Sequence, residues 1–220
     1  MPLLDLEALR QAPLVHGPFN FTVVKDAIRP ADAAAIRDDF PVIEDSGLFP
    51  VEATRYGPRF RRLIQELESE EAARAFSEKF GVNLVGRPQM ITVRGRCAAK
   101  DGRIHTDAAT KLITVVIYFN EQWDAAGGRL RLLRSPTDLN DMIGEAPPNC
   151  GTMIAFRRSD KSFHGHEPYE GVRRCVMVNW MASDFAARRE LFRHRLSARA
   201  KQAFALFKPR RAAKAGDGRG

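Results

Sequence analysis

Two textures divide the chain. Up to about residue 87, apolar residues recur at helical spacing between short breaks; from Pro88 onward they come in short runs cut by Gly, Asp and Pro. In the first region Leu3, Leu4, Leu6 and Leu9 suggest a weakly helical opening that docks through its leucines. Phe19 to Lys25 is β-branched and aromatic and reads as a strand. Pro30 opens a helix through Ala33 to Phe40, because the first helical turn has no use for the N–H that proline lacks. Residues 58–67 set Phe60, Leu63, Ile64 and Leu67 on one helical face. Ser69, with Glu70 and Glu71 after it and Gly81 at the far end, frames a third helix.

Beyond Pro88, the segments Met90–Val93, Leu112–Phe119, Leu130–Leu133, Thr152–Phe156 and Cys175–Trp180 read as strands. Asp101-Gly102, Gly127-Gly128, Pro147-Pro148 and Gly151 separate them. Helices first and strands after argue for a mainly β barrel or jelly roll buttressed by helices. The expected division is a support region at 1–87, a β core at 88–182 and a basic extension at 183–220. In that extension Ser183 is a candidate N-cap. Phe185, Phe192, Leu196, Ala200, Ala203 and Phe207 recur at helical spacings, Pro209 stops the helix, and the remaining residues read as a disordered tail.

Charge sharpens this division. The 220 residues carry a formal net charge of +8. Residues 183–220 hold 11 Lys/Arg against 3 Asp/Glu, which accounts for all of it; the other residues hold 24 of each sign. The basic character thus belongs to the extension, and the core is neutral. Asp5 and Glu7 sit where an export signal would need an apolar run, and no stretch suits a membrane span. Three irregularly spaced cysteines, Cys97, Cys150 and Cys175, make neither a disulfide framework nor a zinc site, so a reducing cytoplasm is expected.

Candidate chemistry lies in two places. His105-Thr-Asp107 puts an imidazole and a carboxylate two residues apart, on one face if the segment is a strand. Far downstream comes His164-Gly-His166-Glu-Pro168-Tyr-Glu-Gly171-Val-Arg173. His-x-Asp with a distant His is the ligand set of a non-haem Fe(II) centre, which leaves one side of the metal open. Alone, His-x-Asp is a weak signal, and both His164 and His166 are candidates for the third ligand. If Arg173 faces the interior, it needs an anion there to remain charged.

The downstream segment resembles the prolyl 4-hydroxylase-like family of 2-oxoglutarate- and iron(II)-dependent dioxygenases. That family's distal motif runs His, Pro four later, and a basic residue about nine to eleven later, a register that His164, Pro168 and Arg173 fit. Tyr118-Phe-Asn120, Trp123-Asp124 and Gly127-Gly128-Arg-Leu130 resemble the family's strand, loop and Gly-Gly hairpin. The resemblance covers roughly residues 88–182. It implies a double-stranded β-helix, with Fe(II) on His105, Asp107 and His164. It also implies that Arg173 clamps the far carboxylate of 2-oxoglutarate and that Tyr118 hydrogen-bonds that carboxylate; a strand tyrosine with a satisfied hydroxyl is the structural alternative. His166 falls out of register and is left as a group behind the ligands or facing substrate.

The implied activity is hydroxylation of an unactivated C–H, of a peptidyl proline or a small metabolite, with 2-oxoglutarate converted to succinate. Fe(II), 2-oxoglutarate and O2 are the implied cofactors, with ascorbate as an accessory reductant. Asp107 argues against a halogenase of the same superfamily, which would carry a small residue there. The strand after Arg173 has no second arginine of the kind nucleic-acid demethylases carry, although the basic tail keeps that option open. A non-catalytic metal- or oxygen-sensing protein on the same fold is the rival from another class. The basic helix offers a buttress, a homodimer contact or a docking face for an anionic partner.

Overall fold

Alternation along the strands explains the architecture. The structure, a computed structural model, describes residues 1–192. A six-stranded antiparallel sheet has the order β1 (Phe21–Val24), β7 (Met153–Arg157), β4 (Lys111–Tyr118), β9 (Gly171–Met181), β3 (Gln89–Cys97), β2 (Phe49–Pro50). A second sheet has the order β6 (Met142–Ala146), β5 (Leu130–Leu133), β8 (Phe163–Gly165). On β4, Ile113, Val115 and Ile117 join one apolar cluster while Val116 and Tyr118 join another. β7 divides the same way, with Met153 and Ala155 on one side and Ile154 and Phe156 on the other. Both faces of these central strands are covered, so their sequences read as unbroken apolar runs.

One face receives the helices α1 (Leu6–Gln11), α2 (Pro30–Asp38), α3 (Pro58–Glu68) and α4 (Glu70–Phe80). α3 buries Phe60, Leu63, Ile64 and Leu67, the predicted stripe. Phe60 packs edge-on to Phe40 at 5.1 Å and meets Phe119 at 5.9 Å. α4 sets Phe76 against Trp180 of β9 at 4.9 Å. Ser69 Oγ accepts from Ala72 N at 3.1 Å, and Gly81 closes the helix at φ 62°, a conformation that favours glycine. The other face meets the small sheet, where Leu130, Leu132 and Ala146 pack with Phe21, Val116 and Phe156. This is a jelly roll with its helices on the outside of the large sheet.

The structure corrects the sequence reading in four places. Strands β2, β6 and β8 were not expected; each is short, and β6 does not alternate cleanly between buried and exposed residues. β4 and β5 belong to different sheets, so Gly127-Gly128 turns a corner between them and does not close a hairpin. His105 lies in an isolated bridge opposite His164, and Asp107 lies in the loop after it, so the pair does not share a regular strand. The helix after Ser183, seen over residues 184–192, turns Ala186 and Ala187 onto Met90 and Met181. Phe185 and Phe192 point outward, 75% and 62% exposed. The expected apolar stripe is therefore the outer face there, and its continuation through Leu196, Ala200, Ala203 and Phe207 lies outside the described residues.

Phe60→Ala should cost about 3–5 kcal/mol, since the ring is fully buried among aromatic neighbours. Phe185→Ser should stay within about 0.5 kcal/mol. Urea unfolding of both variants checks the assignment; a large loss from the Phe185 change would mean that this helix packs the other way round.

Candidate metal centre

The site begins with backbone pairing. His105 N donates to His164 O at 3.0 Å and His164 N donates to His105 O at 2.9 Å. That reciprocal bridge sets the two imidazoles side by side, ring centres 4.3 Å apart. β8 holds His164 opposite Leu132 of β5, and the Phe156 ring lies 4.8 Å from the imidazole. One donor atom each from His105, Asp107 and His164 lies within 4.8 Å of the others, the sole such cluster among the described residues.

Each imidazole is held in one tautomer. His105 Nδ1 lies 2.8 Å from the Arg103 carbonyl and His164 Nδ1 lies 2.9 Å from the Ser162 carbonyl. A carbonyl oxygen only accepts, so both Nδ1 atoms carry a proton, and in the neutral ring the lone pair lies on Nε2. Burial, reinforced by His105 and Lys111, pushes His164 down to about 4 against the pull of Asp107, so it is neutral near pH 7. Two neutral nitrogen donors and one carboxylate are what a divalent transition metal requires.

Asp107 is buried and charged. Lys111 Nζ lies 2.6 Å from Oδ1, and the Thr114 hydroxyl donates to Oδ2 at 2.5 Å. Burial alone would raise its pKa, but Lys111, His164 and the Thr114 hydroxyl outweigh that and hold it at about 2. Neither Lys111 nor Thr114 was singled out in the sequence. The only available signal was the four-residue spacing of Asp107 and Lys111, which carries meaning on a helix and none in a loop.

A cavity of about 120 Å³ opens beside these groups, lined among others by Thr114, Tyr118, His164, His166 and Arg173. Larger hollows, about 620 Å³ beside the N-terminal segment and about 780 Å³ beside Arg37 and Arg96, contain no such donor cluster. Arg173 points inward from β9 and is 5% exposed. Its Nε donates to the Gly128 carbonyl at 2.7 Å and its Nη2 donates to the Tyr118 hydroxyl at 3.0 Å. Burial would lower its pKa, but Tyr118, Cys175 and Cys97 raise it on balance, and no carboxylate among the described residues pairs with it. By contrast Arg94, on the same cavity, is paired with Asp101 at 2.5 Å. The cavity thus holds one guanidinium without a counter-ion.

His166 also lines the cavity, with its Nδ1 2.8 Å from the Glu167 carbonyl, so its Nε2 is an acceptor. Burial and Arg173 hold it at about 4. Gly102 makes room for it: a Cβ there would fall 2.4 Å from the imidazole Nδ1. Gly128, at φ 80°, brings its carbonyl to Arg173 and would strike Trp123 if it carried a side chain.

With the geometry in view, three kinds of comparison bear on it. Residues 96–182 match the family described as the 2OG-Fe(II) oxygenase superfamily, a span that includes the donor cluster, Lys111, Thr114, Tyr118, His166 and Arg173. No curated protein matches the chain. Among solved structures, a Pseudomonas putida prolyl-4-hydroxylase aligns at TM-score 0.54 and 16% identity, covering 80% of this chain and 98% of that one. A viral collagen prolyl hydroxylase from Paramecium Bursaria Chlorella virus-1, in complex with 2OG, aligns at TM-score 0.53 and 13% identity, covering 76% and 97%. A prolyl 4-hydroxylase from Phytophthora capsici aligns at TM-score 0.53 and 17% identity, covering 81% and 66%. At these identities the solved structures share the fold; the superfamily match agrees with the resemblance read from the distal histidine segment.

The imidazoles give a pH test on metal-free protein. His164 and His166 ordinarily titrate near 6.5 and sit near 4 here, so the unfolded chain binds more protons between those values. Stability conferred by each is complete above about pH 6.5 and lost as pH falls to about 4, on the order of 3 kcal/mol per group. Urea midpoints should therefore drop between pH 7 and pH 4.5, and His166→Gln should remove about half of the drop. An unchanged midpoint in wild type would show that these rings are solvated.

Proposed function

We propose, from the superfamily match of residues 96–182, that this chain is a 2-oxoglutarate- and Fe(II)-dependent oxygenase that hydroxylates an unactivated C–H. The observation that carries the reading is the juxtaposition of a His/Asp/His donor cluster with a buried, unpaired guanidinium on one small cavity. A protein that merely bound a metal would have no use for a desolvated cation beside it; a diacid cosubstrate supplies the missing anion. These residues fit the group in charge and in donor type.

In this reading His105 Nε2, His164 Nε2 and one oxygen of Asp107 would hold the iron. Arg173 would take the far carboxylate of 2-oxoglutarate in a charge-assisted pair, with the Tyr118 hydroxyl beside it. Bound there, iron and cosubstrate supply the oxidation: O2 and 2-oxoglutarate become succinate and CO2, and one oxygen atom enters a substrate C–H. The chain's own contribution is position and exclusion of water. Thr114, Val116 and Tyr118 line the cavity from one face of β4, and Leu130, Phe156 and Met177 wall it with apolar surface.

Substrate would sit at the cavity mouth, because about 120 Å³ is small beside the ~300–1,000 Å³ of drug-sized sites and suits one short diacid. His105 is the exposed member of the cluster and marks that mouth. The acceptor Nε2 of His166 cannot bond a fully ionised diacid, which has no donor, so it would address an N–H or O–H of the substrate. A peptidyl residue, prolyl as named for the three similar structures, or a small metabolite with such a donor meets this requirement. Ascorbate would serve as accessory reductant. Three free cysteines suit a reducing compartment, and no described helix is long and apolar enough to cross a membrane.

Purified protein should convert 2-oxoglutarate to succinate in an Fe(II)-dependent way, and Asp107→Ala should abolish it. Succinate formation by that variant at the wild-type rate would remove the triad from the chemistry. Arg173→Met should raise the KM for 2-oxoglutarate by about 30- to 1,000-fold, equivalent to about 2–4 kcal/mol for a buried charge pair, while leaving Mn(II) affinity within about threefold. An unchanged KM would mean that the diacid lies elsewhere.

A further inference from the structure

We propose that Lys111 is an internal counter-ion that neutralises Asp107 in the metal-free protein and opposes the cation that binds there, and so sets the site's affinity for divalent metals. The proposal rests on the metal-site reading above and adds a control that reading does not contain. Both oxygens of Asp107 are already engaged, Oδ1 by Lys111 at 2.6 Å and Oδ2 by Thr114 at 2.5 Å. The two engagements differ in kind. Thr114 offers a neutral hydroxyl; Lys111 offers a full positive charge, and its side chain is only 11% exposed.

The placement of Lys111 is built into the fold. Lys111 N donates to Ala108 O at 3.0 Å, closing a turn that brings the first residue of β4 back over Asp107. Its backbone is paired with Met181 of β9, which fixes the point from which the side chain reaches the carboxylate. Asp107 is its sole carboxylate partner among the described residues.

The charge balance gives the sign of the effect. His105 and His164 bring lone pairs without charge, so Asp107 is the cluster's one anion, and Lys111 cancels it at contact distance. A dication bound to the same carboxylate faces that ammonium across the width of one carboxyl group. It therefore binds against a like charge, in a setting less screened than water. Removing one partner of a buried pair also leaves the other uncompensated, which destabilises the empty protein. Loss of the Lys111 charge should thus weaken the metal-free fold and tighten metal binding together, whereas a lysine that only shaped the site would, when lost, loosen both.

The test is Mn(II) titration without cosubstrate, by calorimetry or by the free-ion paramagnetic resonance signal, on wild type, Lys111→Met and Asp107→Ala. Thermal unfolding is read with and without Mn(II). Lys111→Met should bind Mn(II) about tenfold more tightly, with a metal-free melting temperature lowered by roughly 3–8 °C and a larger rise on adding Mn(II). Should Lys111→Met fail to fold without metal, Lys111→Gln keeps a donor for Oδ1 without the charge and carries the same prediction. Mn(II) binding in these variants equal to or weaker than wild type overturns the proposal while the site stands. Failure of wild type to bind Mn(II), or binding by Asp107→Ala equal to wild type, overturns the site itself and the proposal with it.

Discussion

A pair of backbone hydrogen bonds between His105 and His164 ties together segments that lie far apart in sequence, and the site depends on it. Neither residue owes its position to its immediate neighbours alone. His164 is fixed by β8 lying against β5, and His105 is fixed by His164. The imidazoles consequently inherit their spacing from the closure of the small sheet over the large one. Disturbing the core between the sheets, at Leu132 or Phe156, would act on the centre without touching a donor atom.

Around that bridge the cavity is arranged as a balance of buried charge. Asp107 is offset by Lys111 and Arg94 by Asp101, while Arg173 is held by a carbonyl and a phenol with no anion opposite. A buried cation left in this state reduces the stability of the empty fold, a cost that structural ion pairs avoid and ligand sites accept. His164 and His166, both held near 4, add acceptors without adding charge near pH 7. Among the described residues Arg173 has no anion opposite and the His105/Asp107/His164 cluster is the sole donor set, the pairing on which the proposed function rests.

Much of this was legible in the chain because it rests on local pattern. The α3 face, the capping of α4 by Ser69 and Gly81, and the runs that become β4, β5, β7 and β9 all follow from spacing and turn chemistry. Strand parity groups Arg173 with Cys175 and Met177, but the sequence left open which face is inward, and only the fold turns these three onto the cavity. What escaped was set by partners remote in sequence. β8 is three residues long and exists because β5 lies beside it. Lys111 and Thr114 gain their meaning only once a loop folds Asp107 back over the start of β4. The outward turn of Phe185 reverses the expected face because Met90 and Met181 accept alanines, whose small side chains allow a closer approach than phenylalanine would.

Diffraction from a crystal loaded with Mn(II) and 2-oxoglutarate, with anomalous data to locate the metal, tests the account most directly. One anomalous peak within bonding distance of His105 Nε2, His164 Nε2 and an Asp107 oxygen is predicted. The diacid should span from that peak to the Arg173 guanidinium. A metal bound elsewhere, or a diacid whose far carboxylate lies away from Arg173, would contradict it.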